Sequence, residues 1–251
     1  MNALCAKINP GDVIAVGDIH ATWGPYSQFL DWVEGTRAIV VLLGDMIDRG
    51  GDDLAVLEAT RQRLEDPEKF ELEGFYALRG NHEEMFLNAA FDGIAPFRTT
   101  TLEWLRNGGN FEDKFEMIDN HAAWLTQLPV YIIIGETLFI HGGIFPGKDP
   151  AVEVKNLRTD SLLWMRGSFL KFGPEFEKWN PNLKKVIHGH TPTIFEEYNE
   201  KNNLGFAPVV TKDRVNIDTG ACFKGETPGF LTAYNVTQNT FKFFKSETST
   251  D

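Results

Sequence analysis

Five short apolar segments of this chain each end in glycine beside Asp, Asn or His, and this repeated ending constrains the fold more than any other feature. The endings are VGDIH at 16–20, GDMIDRGG at 44–51, LRGNHEE at 78–84, IHGG at 140–143 and IHGHTP at 187–192. A short run rich in Val and Ile is typical of a buried strand, and glycine with a small polar residue supplies the turn that ends it. Because α/β sheets bind ligands beyond the carboxyl ends of their parallel strands, we expect these endings to meet at one site.

The first ninety residues alternate between patterns of strand and helix. Buried strands are predicted at 12–16, 37–43 and 74–80, and helices with apolar residues at helical spacing at 26–34, 52–66 and 83–91. This β-α-β-α-β-α order predicts a partly parallel sheet covered by helices.

Residues 92–129 interrupt this alternation and predict a helical insertion, with helices around 102–107 and 111–125. Beyond it, six short strands are predicted with little helix between them, which favours antiparallel pairing in the C-terminal half. They lie at 130–135, 137–143, 184–189, 213–218, 229–236 and 240–245. The fold predicted is α/β, a two-sheet β-sandwich flanked by helices, in a single domain over 1–245 with a flexible tail at 246–251.

The net charge and the number of cysteines indicate which partners and which cellular compartment the protein is expected to have. The formal net charge is −12, so nothing in the bulk electrostatics attracts nucleic acid. Cys5 and Cys222 are the two cysteines of the sequence, and two free thiols in a reducing compartment are the simplest interpretation. The N-terminus lacks a secretory apolar region and the longest apolar runs are too short to cross a membrane. We expect a cytoplasmic protein, monomeric, without nucleic-acid or membrane partners.

The strand endings carry oxygen and nitrogen donors that suit metal ions of the Mn²⁺, Fe and Zn²⁺ type. Six donors are more than one open catalytic ion needs and are about right for two ions that share a carboxylate. Each donor has an ordinary alternative role, as a hydrogen-bonded core histidine, an Asx turn or a helix cap. Only one of the two histidines in HGH is needed as a metal ligand. We prefer His190 to His188 because His190 lies further beyond the strand. The candidates are Asp18, His20, Asp45, Asn81, His141 and His190.

The motifs GDIH, GDMIDRG, LRGNHE and HGG, in that order, resemble those of the calcineurin-like metallophosphoesterases. The resemblance is greatest to the phosphoprotein phosphatase (PPP) branch and its compact bacterial and phage serine/threonine phosphatases, and it spans roughly residues 12–220. It implies a sandwich of two sheets with a dinuclear metal centre at the strand ends. Two positions depart from the pattern: Ala21 stands where many relatives have Gly, and Asp53 where a Ser is common. The charge of Asp53 near a phosphate site could bias the choice of substrate.

Carried over position by position, the resemblance implies a role for each donor. Asp18 and His20 would hold the first ion and Asp45 would bridge both. The second ion would be held by Asn81, His141 and His190. The metals implied are two divalent ions, Mn²⁺ in first place and Fe, Zn²⁺ or Ni²⁺ as alternatives.

The resemblance also implies the groups that act on the phosphoryl ester. His82 would be the general acid, paired with Asp48, because the alkoxide that leaves from Ser or Thr must be protonated. Arg49 would bind the phosphoryl oxygens, together with Arg166 or, as a weaker choice, Arg158. The nucleophile would be a hydroxide held by the two metal ions, which attacks phosphorus directly. Neither cysteine lies in a phosphate-binding loop, which disfavours a cysteine-based mechanism.

The predicted function is that of a metal-dependent serine/threonine protein phosphatase acting on phosphorylated proteins or peptides, with phosphotyrosine as a further substrate if the cleft is shallow. A diadenosine tetraphosphate hydrolase or another small-molecule phosphoesterase is the alternative, since the insertion at 92–129 could cover a nucleotide bound at the site. A nuclease is disfavoured by the −12 charge. A non-catalytic metal-binding scaffold would be expected to lose His82 or the arginines, and all of them are present.

Overall fold

The protein is described from a computed structural model. Cys5, Arg158 and the tail at 246–251 lie outside the described residues. The structure describes residues 7–95, 97–156, 159–225 and 227–245.

The strands are short, most of them four residues long, and all but β7 lie within or across segments that the sequence predicts as strands. Their bounds are β1 (Val13–Val16), β2 (Ile39–Leu42), β3 (Gly74–Ala77), β4 (Tyr131–Ile134), β5 (Thr137–Ile140), β6 (Lys185–His188), β7 (Val209–Val210), β8 (Arg214–Asn216), β9 (Leu231–Asn235) and β10 (Thr240–Phe244).

An α-helix follows each of β1, β2 and β3, and the other α-helices lie between β3 and β4 and on either side of β6. Their bounds are α1 (Trp23–Val33), α2 (Asp53–Glu65), α3 (Asn81–Phe91), α4 (Thr99–Arg106), α5 (Lys114–Met117), α6 (Ala123–Leu125), α7 (Pro150–Lys155), α8 (Thr159–Leu163), α9 (Gly167–Phe172) and α10 (Glu197–Asn202). A π-helical turn, Ile118–Ala122, joins α5 to α6, and α4 to α6 all lie within the range 92–129 where the sequence predicts a helical insertion.

The strands form two five-stranded sheets, in the order β10-β9-β1-β2-β3 and the order β4-β5-β6-β8-β7. In the first sheet, β1, β2 and β3 are parallel, with Val13 opposite Ile39 and Ile39 opposite Gly74. In the second sheet, β5, β6 and β8 are parallel. Each sheet therefore has three parallel strands whose carboxyl ends can contribute to one site.

The C-terminal half differs from the antiparallel arrangement that the sequence favours. Its strands are mixed, since β6 pairs in parallel with both β5 and β8, and β9 returns to the first sheet, antiparallel to β1. The helices α7 to α10, which the sequence analysis did not predict, occupy the connections around β6 that parallel pairing requires.

The two sheets pack face to face with helices on the outside, which confirms the predicted α/β sandwich. Ala15, Val41, Phe139, Ile187 and Val215 belong to the buried cluster between the sheets. The alternate residues of β1 and β2, such as Ile14 and Val40, belong to the cluster beneath the helices. Both faces of the central strands are thus buried, which explains their nearly continuous apolar sequences. Among the described residues, no helix combines the length and the apolar character needed to span a membrane.

Candidate metal centre

The six predicted metal donors meet at the place where the parallel strands of both sheets end. They come from the loops after β1, β2, β5 and β6 and from the first turn of α3. Each is at most 4% exposed to solvent. Burial of this many polar groups needs compensating partners, because a polar side chain without one costs roughly 1–3 kcal/mol. The six are Asp18, His20, Asp45, Asn81, His141 and His190.

The loops that carry these donors have unusual backbone conformations. Positive φ values occur at non-glycine residues throughout them: His20 (48°), Ala21 (51°), Asp45 (51°), Asp48 (71°), Arg49 (73°) and His190 (68°). Each such residue costs of order 1 kcal/mol or more, and clusters of this kind are typical of functional sites. At Gly189 a Cβ would overlap the carboxylate of Asp18, so only glycine lets the backbone approach this closely.

Asp45 lies at the centre of the site. Its Oδ2 is 3.7 Å from Nε2 of His20 and 3.9 Å from Nε2 of His82, and its Oδ1 is 3.3 Å from Nε2 of His141. Two groups of donor atoms, each within 4.8 Å of one another, share this carboxylate: His20, Asp45 and His82, and Asp45, His141 and His190. One carboxylate common to two groups is the arrangement expected of a ligand that bridges two ions.

Two histidines of the second group lie against the side-chain oxygen of Asn81. Nδ1 of His141 contacts the backbone oxygen of Leu43 at 2.9 Å, and burial lowers the pKa of His141, so the neutral ring carries its proton on Nδ1. Its Nε2 then faces Oδ1 of Asn81 at 2.9 Å, and Nδ1 of His190 faces the same oxygen at 2.7 Å. Within the described chain, Nε2 of His190 is buried and has no hydrogen-bond partner.

Buried carboxylates crowd the other side of the site. Asp18 accepts the backbone N–H of His190 at 3.0 Å, and its pKa is raised by burial and by the charges of Asp218 and Asp45. Burial raises the pKa of Asp218 to about 7. For Asp45 the burial penalty is outweighed by the neighbouring histidines, led by His141, and its pKa is well below the usual range. Like charges held this close favour bound cations.

The oxygen and imidazole donors fit two divalent metal ions. The unpartnered nitrogen of His190, the facing acceptors of Asn81 and His141, and the crowded carboxylates are all polar groups that a cation would satisfy. Asp18, predicted to hold the first ion with His20, lies against the loop of His190 and belongs to neither group of donors within 4.8 Å.

His82 and Asp48 form the pair that the sequence predicts. Nδ1 of His82 donates to Oδ2 of Asp48 at 2.6 Å, and the backbone N–H of His82 donates to Oδ1 of Asp45 at 3.0 Å. Burial lowers the pKa of His82, but the charge of Asp45 and the hydrogen bond to Asp48 outweigh it, so the pKa is raised above its usual value. A histidine whose cationic form is stabilised in this way can serve as a proton donor.

The two described arginines predicted to bind phosphate line one cleft of about 740 Å³ beside the metal donors. Nη1 of Arg49 lies 2.8 Å from Nε2 of His20, and Nη2 lies 2.8 Å from Nε2 of His82. Arg166 donates to Oγ1 of Thr191 at 3.2 Å and to the backbone oxygen of His190 at 3.1 Å. The site therefore brings guanidinium groups, metal donors and the His82 pair together around one opening.

Three residues that the sequence analysis missed support the site. The carboxylate of Glu83 accepts the backbone N–H groups of Asp45, Met46 and Gly80, at 2.9, 2.7 and 2.7 Å. Trp104 donates to Asp48, and Asp218 adds its carboxylate beside Asp18. Asp218 had a detectable signal, because the sequence IDTG, which follows β8, repeats the pattern of a strand that ends in Asp and Gly.

Asp53, expected to place charge near the phosphate, is turned inward. Its Oδ1 accepts the backbone N–H of Asp48 at 2.6 Å, and the residue is 1% exposed. Asp53 thus stabilises the loop of Asp48 and Arg49 from its buried side. It is not among the residues that line the cleft of Arg49 and Arg166.

Comparisons with known proteins agree with this geometry. The symmetrical bis(5'-nucleosyl)-tetraphosphatase of Nitrosospira multiformis is 28% identical over 188 residues, which cover 71% of this chain and 60% of that protein. Serine/threonine-protein phosphatase 1 of Salmonella typhimurium is 35% identical over 116 residues, 44% of each chain. This chain therefore matches less than two thirds of the length of either relative.

A solved structure of a cold-active protein tyrosine phosphatase shares the fold. It aligns with a TM-score of 0.59 and 15% sequence identity, over 94% of this chain and 79% of that chain. Residues 11–223 match the family model for calcineurin-like phosphoesterases. Because this match spans most of the sequence and the fold agrees, the chain belongs to the calcineurin-like phosphoesterase family, and its described residues form a candidate site for two divalent metal ions.

Proposed function

We propose that this chain is a serine/threonine protein phosphatase that hydrolyses phosphomonoesters in phosphorylated proteins or peptides. The observation that carries the proposal is the contact between His82 and Asp48, 2.6 Å long and buried, at the edge of the metal site. The alkoxide that leaves from phosphoserine or phosphothreonine is strongly basic, so its departure requires a proton donor. A paired histidine with a raised pKa meets that requirement.

The metal ligands in this proposal are the six buried donors at the strand ends. Asp45 would bridge the ions, Asp18 and His20 would complete the first position, and Asn81, His141 and His190 the second. Oxygen and imidazole donors without thiolate suit Mn²⁺, which we propose as the metal. When bound, such ions supply Lewis acidity to the phosphoryl group and to the attacking water.

The remaining residues would bind the phosphoryl group and transfer a proton to the leaving oxygen. Arg49 and Arg166 line the same cleft, and their planar guanidinium groups match phosphoryl oxygens. Arg49 contacts Nε2 of His82, so the bound ester would lie within reach of that nitrogen. Asp48, through Nδ1 of His82, keeps Nε2 aimed at the leaving oxygen and favours the cationic ring.

A second candidate function, hydrolysis of diadenosine tetraphosphate, is supported by the lining of the cleft. Lys224 adds a third cationic side chain to the two arginines, and Phe195 and Phe223 offer aromatic surfaces for a nucleobase. The Nitrosospira relative carries the name of such an enzyme. The leaving group is then a phosphate, which is far less basic than an alkoxide, so this reaction would make little use of His82.

A substrate panel on the manganese-loaded protein tests these proposals. We expect kcat/KM for a phosphoserine peptide to exceed that for diadenosine tetraphosphate by at least tenfold, with negligible hydrolysis of a phosphodiester. A higher value for diadenosine tetraphosphate would replace the first proposal with the second. The Asp45→Asn variant, purified in parallel, excludes a contaminating phosphatase, because activity that survives in it does not come from this site.

A further inference from the structure

The helical insertion reaches the His82–Asp48 pair through one buried tryptophan. Trp104 lies in α4, has no exposed surface and packs against Phe86 with ring centroids 5.4 Å apart. Its Nε1 donates to Oδ1 of Asp48 at 2.9 Å, while Oδ2 of the same carboxylate accepts from His82. Each oxygen of Asp48 thus has its own donor, and the carboxylate is fixed from two sides.

The turn after α4 contacts the neighbouring arginine. The backbone N–H of Arg49 donates to the oxygen of Gly108 at 3.0 Å, and its Nε donates to the oxygen of Asn107 at 3.4 Å. A Cβ at Gly109 would overlap the indole of Trp104, so this turn closes directly onto the tryptophan. One short segment therefore contacts both Asp48 and Arg49.

We propose that residues 99–109 are a positioning element for the reaction and that Trp104 is the positioning residue for the general acid. The inference rests on the proposed function, since it assigns Trp104 to the same proton transfer. Without the indole N–H, Oδ1 of Asp48 would be a buried acceptor lacking that donor, and the carboxylate could rotate away from His82. The imidazole would then lose the alignment of Nε2 with the leaving oxygen.

The Trp104→Phe variant tests this role, because phenylalanine keeps a buried aromatic ring, although a smaller one, and removes the indole N–H donor. We expect kcat for a phosphoserine peptide to fall roughly 10-fold or more, the usual effect of losing a hydrogen bond to a charged group. The kcat for p-nitrophenyl phosphate, whose phenolate leaves without full protonation, should fall at most about two- to threefold, with KM unchanged for both. Equal losses on the two substrates would overturn the proposal.

Trp124 provides a matched control in the same insertion. It is half-buried, and its Nε1 donates to Nδ1 of His121 at 3.1 Å rather than to the pair. The Trp124→Phe variant should retain the wild-type ratio of alkyl to aryl turnover. A change in that ratio as large as the one in Trp104→Phe would assign the effect to general loosening of the insertion.

A spectroscopic measurement tests the contact even if Trp104→Phe does not fold. In metal-free protein with ¹⁵N-labelled tryptophan, the indole N–H resonance of Trp104 should move in the Asp48→Asn variant, and the Trp124 resonance should not. An unmoved Trp104 resonance would contradict the inference. If the wild-type enzyme hydrolyses neither substrate, the proposed function fails, while this spectrum still reports on the contact.

Discussion

The carboxylate of Glu83 accepts the backbone N–H of Asp45 at 2.9 Å, so the helix that follows β3 holds the loop that follows β2. The same carboxylate accepts the N–H groups of Met46 and Gly80. Asp45 has a positive φ of 51°, and these hydrogen bonds stabilise that unfavourable backbone. The central ligand of the candidate metal site is thus positioned by a residue that does not belong to the site.

Glu83→Gln should destabilise the protein. Glutamine offers one acceptor oxygen and an amide that donates, so at least one of the three N–H groups loses its partner. We expect the free energy of unfolding to fall by about 2–3 kcal/mol, measured by urea denaturation of the two proteins under the same conditions, because Glu83 is fully buried and a buried N–H left without an acceptor costs about that much. Glu84→Gln is the control, because Glu84 forms one partly exposed ion pair with Arg79 and should cost less than about 1 kcal/mol. Equal costs would contradict the role of Glu83.

Asp45→Asn should abolish tight binding of the metal pair. An amide has no charge with which to hold two cations close together, and the shared position of Asp45 means that both ions lose a ligand. The measurement is the metal content of protein dialysed after loading with manganese. Asp52→Asn, at an exposed position seven residues along the loop, should keep the wild-type content. An unchanged content in Asp45→Asn would show that Asp45 does not bridge.

His82→Asn should keep the metal ions and lose most activity towards alkyl phosphates. Removal of a general acid typically costs about 10²–10⁴ in rate, and the loss should be smaller for aryl phosphates because phenolates are weaker bases. Steady-state kinetics on a phosphoserine peptide and on p-nitrophenyl phosphate would measure both. His121→Asn, a buried histidine of the insertion, is the matched control. If His82→Asn lowers both rates to the same extent, another group protonates the leaving oxygen.

Asp53 should make stability depend on pH between about 4 and 6. Burial raises the pKa of this carboxyl from 3.8 to about 6, so the native state holds its proton over a range in which the unfolded chain has released it. The contribution of Asp53 to the free energy of unfolding is therefore fully present below about pH 4 and is lost as the pH rises through 6.

The comparison that isolates this effect is the difference in unfolding free energy between the wild-type protein and Asp53→Asn at each pH. A shift of about two pKa units corresponds to roughly 3 kcal/mol, so the wild-type protein should lose up to that amount relative to the variant between pH 4 and pH 7. A difference that stays constant with pH, or that grows in favour of the wild-type protein, would show that Asp53 is ionised in the native state throughout.

The early strands and the donors at their ends could be predicted because their signals are local. An apolar run such as Val13–Val16, followed by Gly17 and Asp18, specifies a buried strand and its turn without reference to the rest of the chain. The pairing of the C-terminal strands could not be predicted in this way. Asn235 of β9 lies opposite Ile14 of β1, and the sequence near Asn235 does not reveal that partner.

The sequence by itself determined which residues would be polar at the ends of buried strands, because burial pattern and turn chemistry act over a few neighbouring residues. The tertiary structure alone decided which distant side chains support them: Trp104 reaches Asp48 across 56 positions of the chain, and Glu83 reaches Asp45 across 38. Such contacts depend on how sheets and helices pack, and packing sums many small apolar interactions that no single motif encodes.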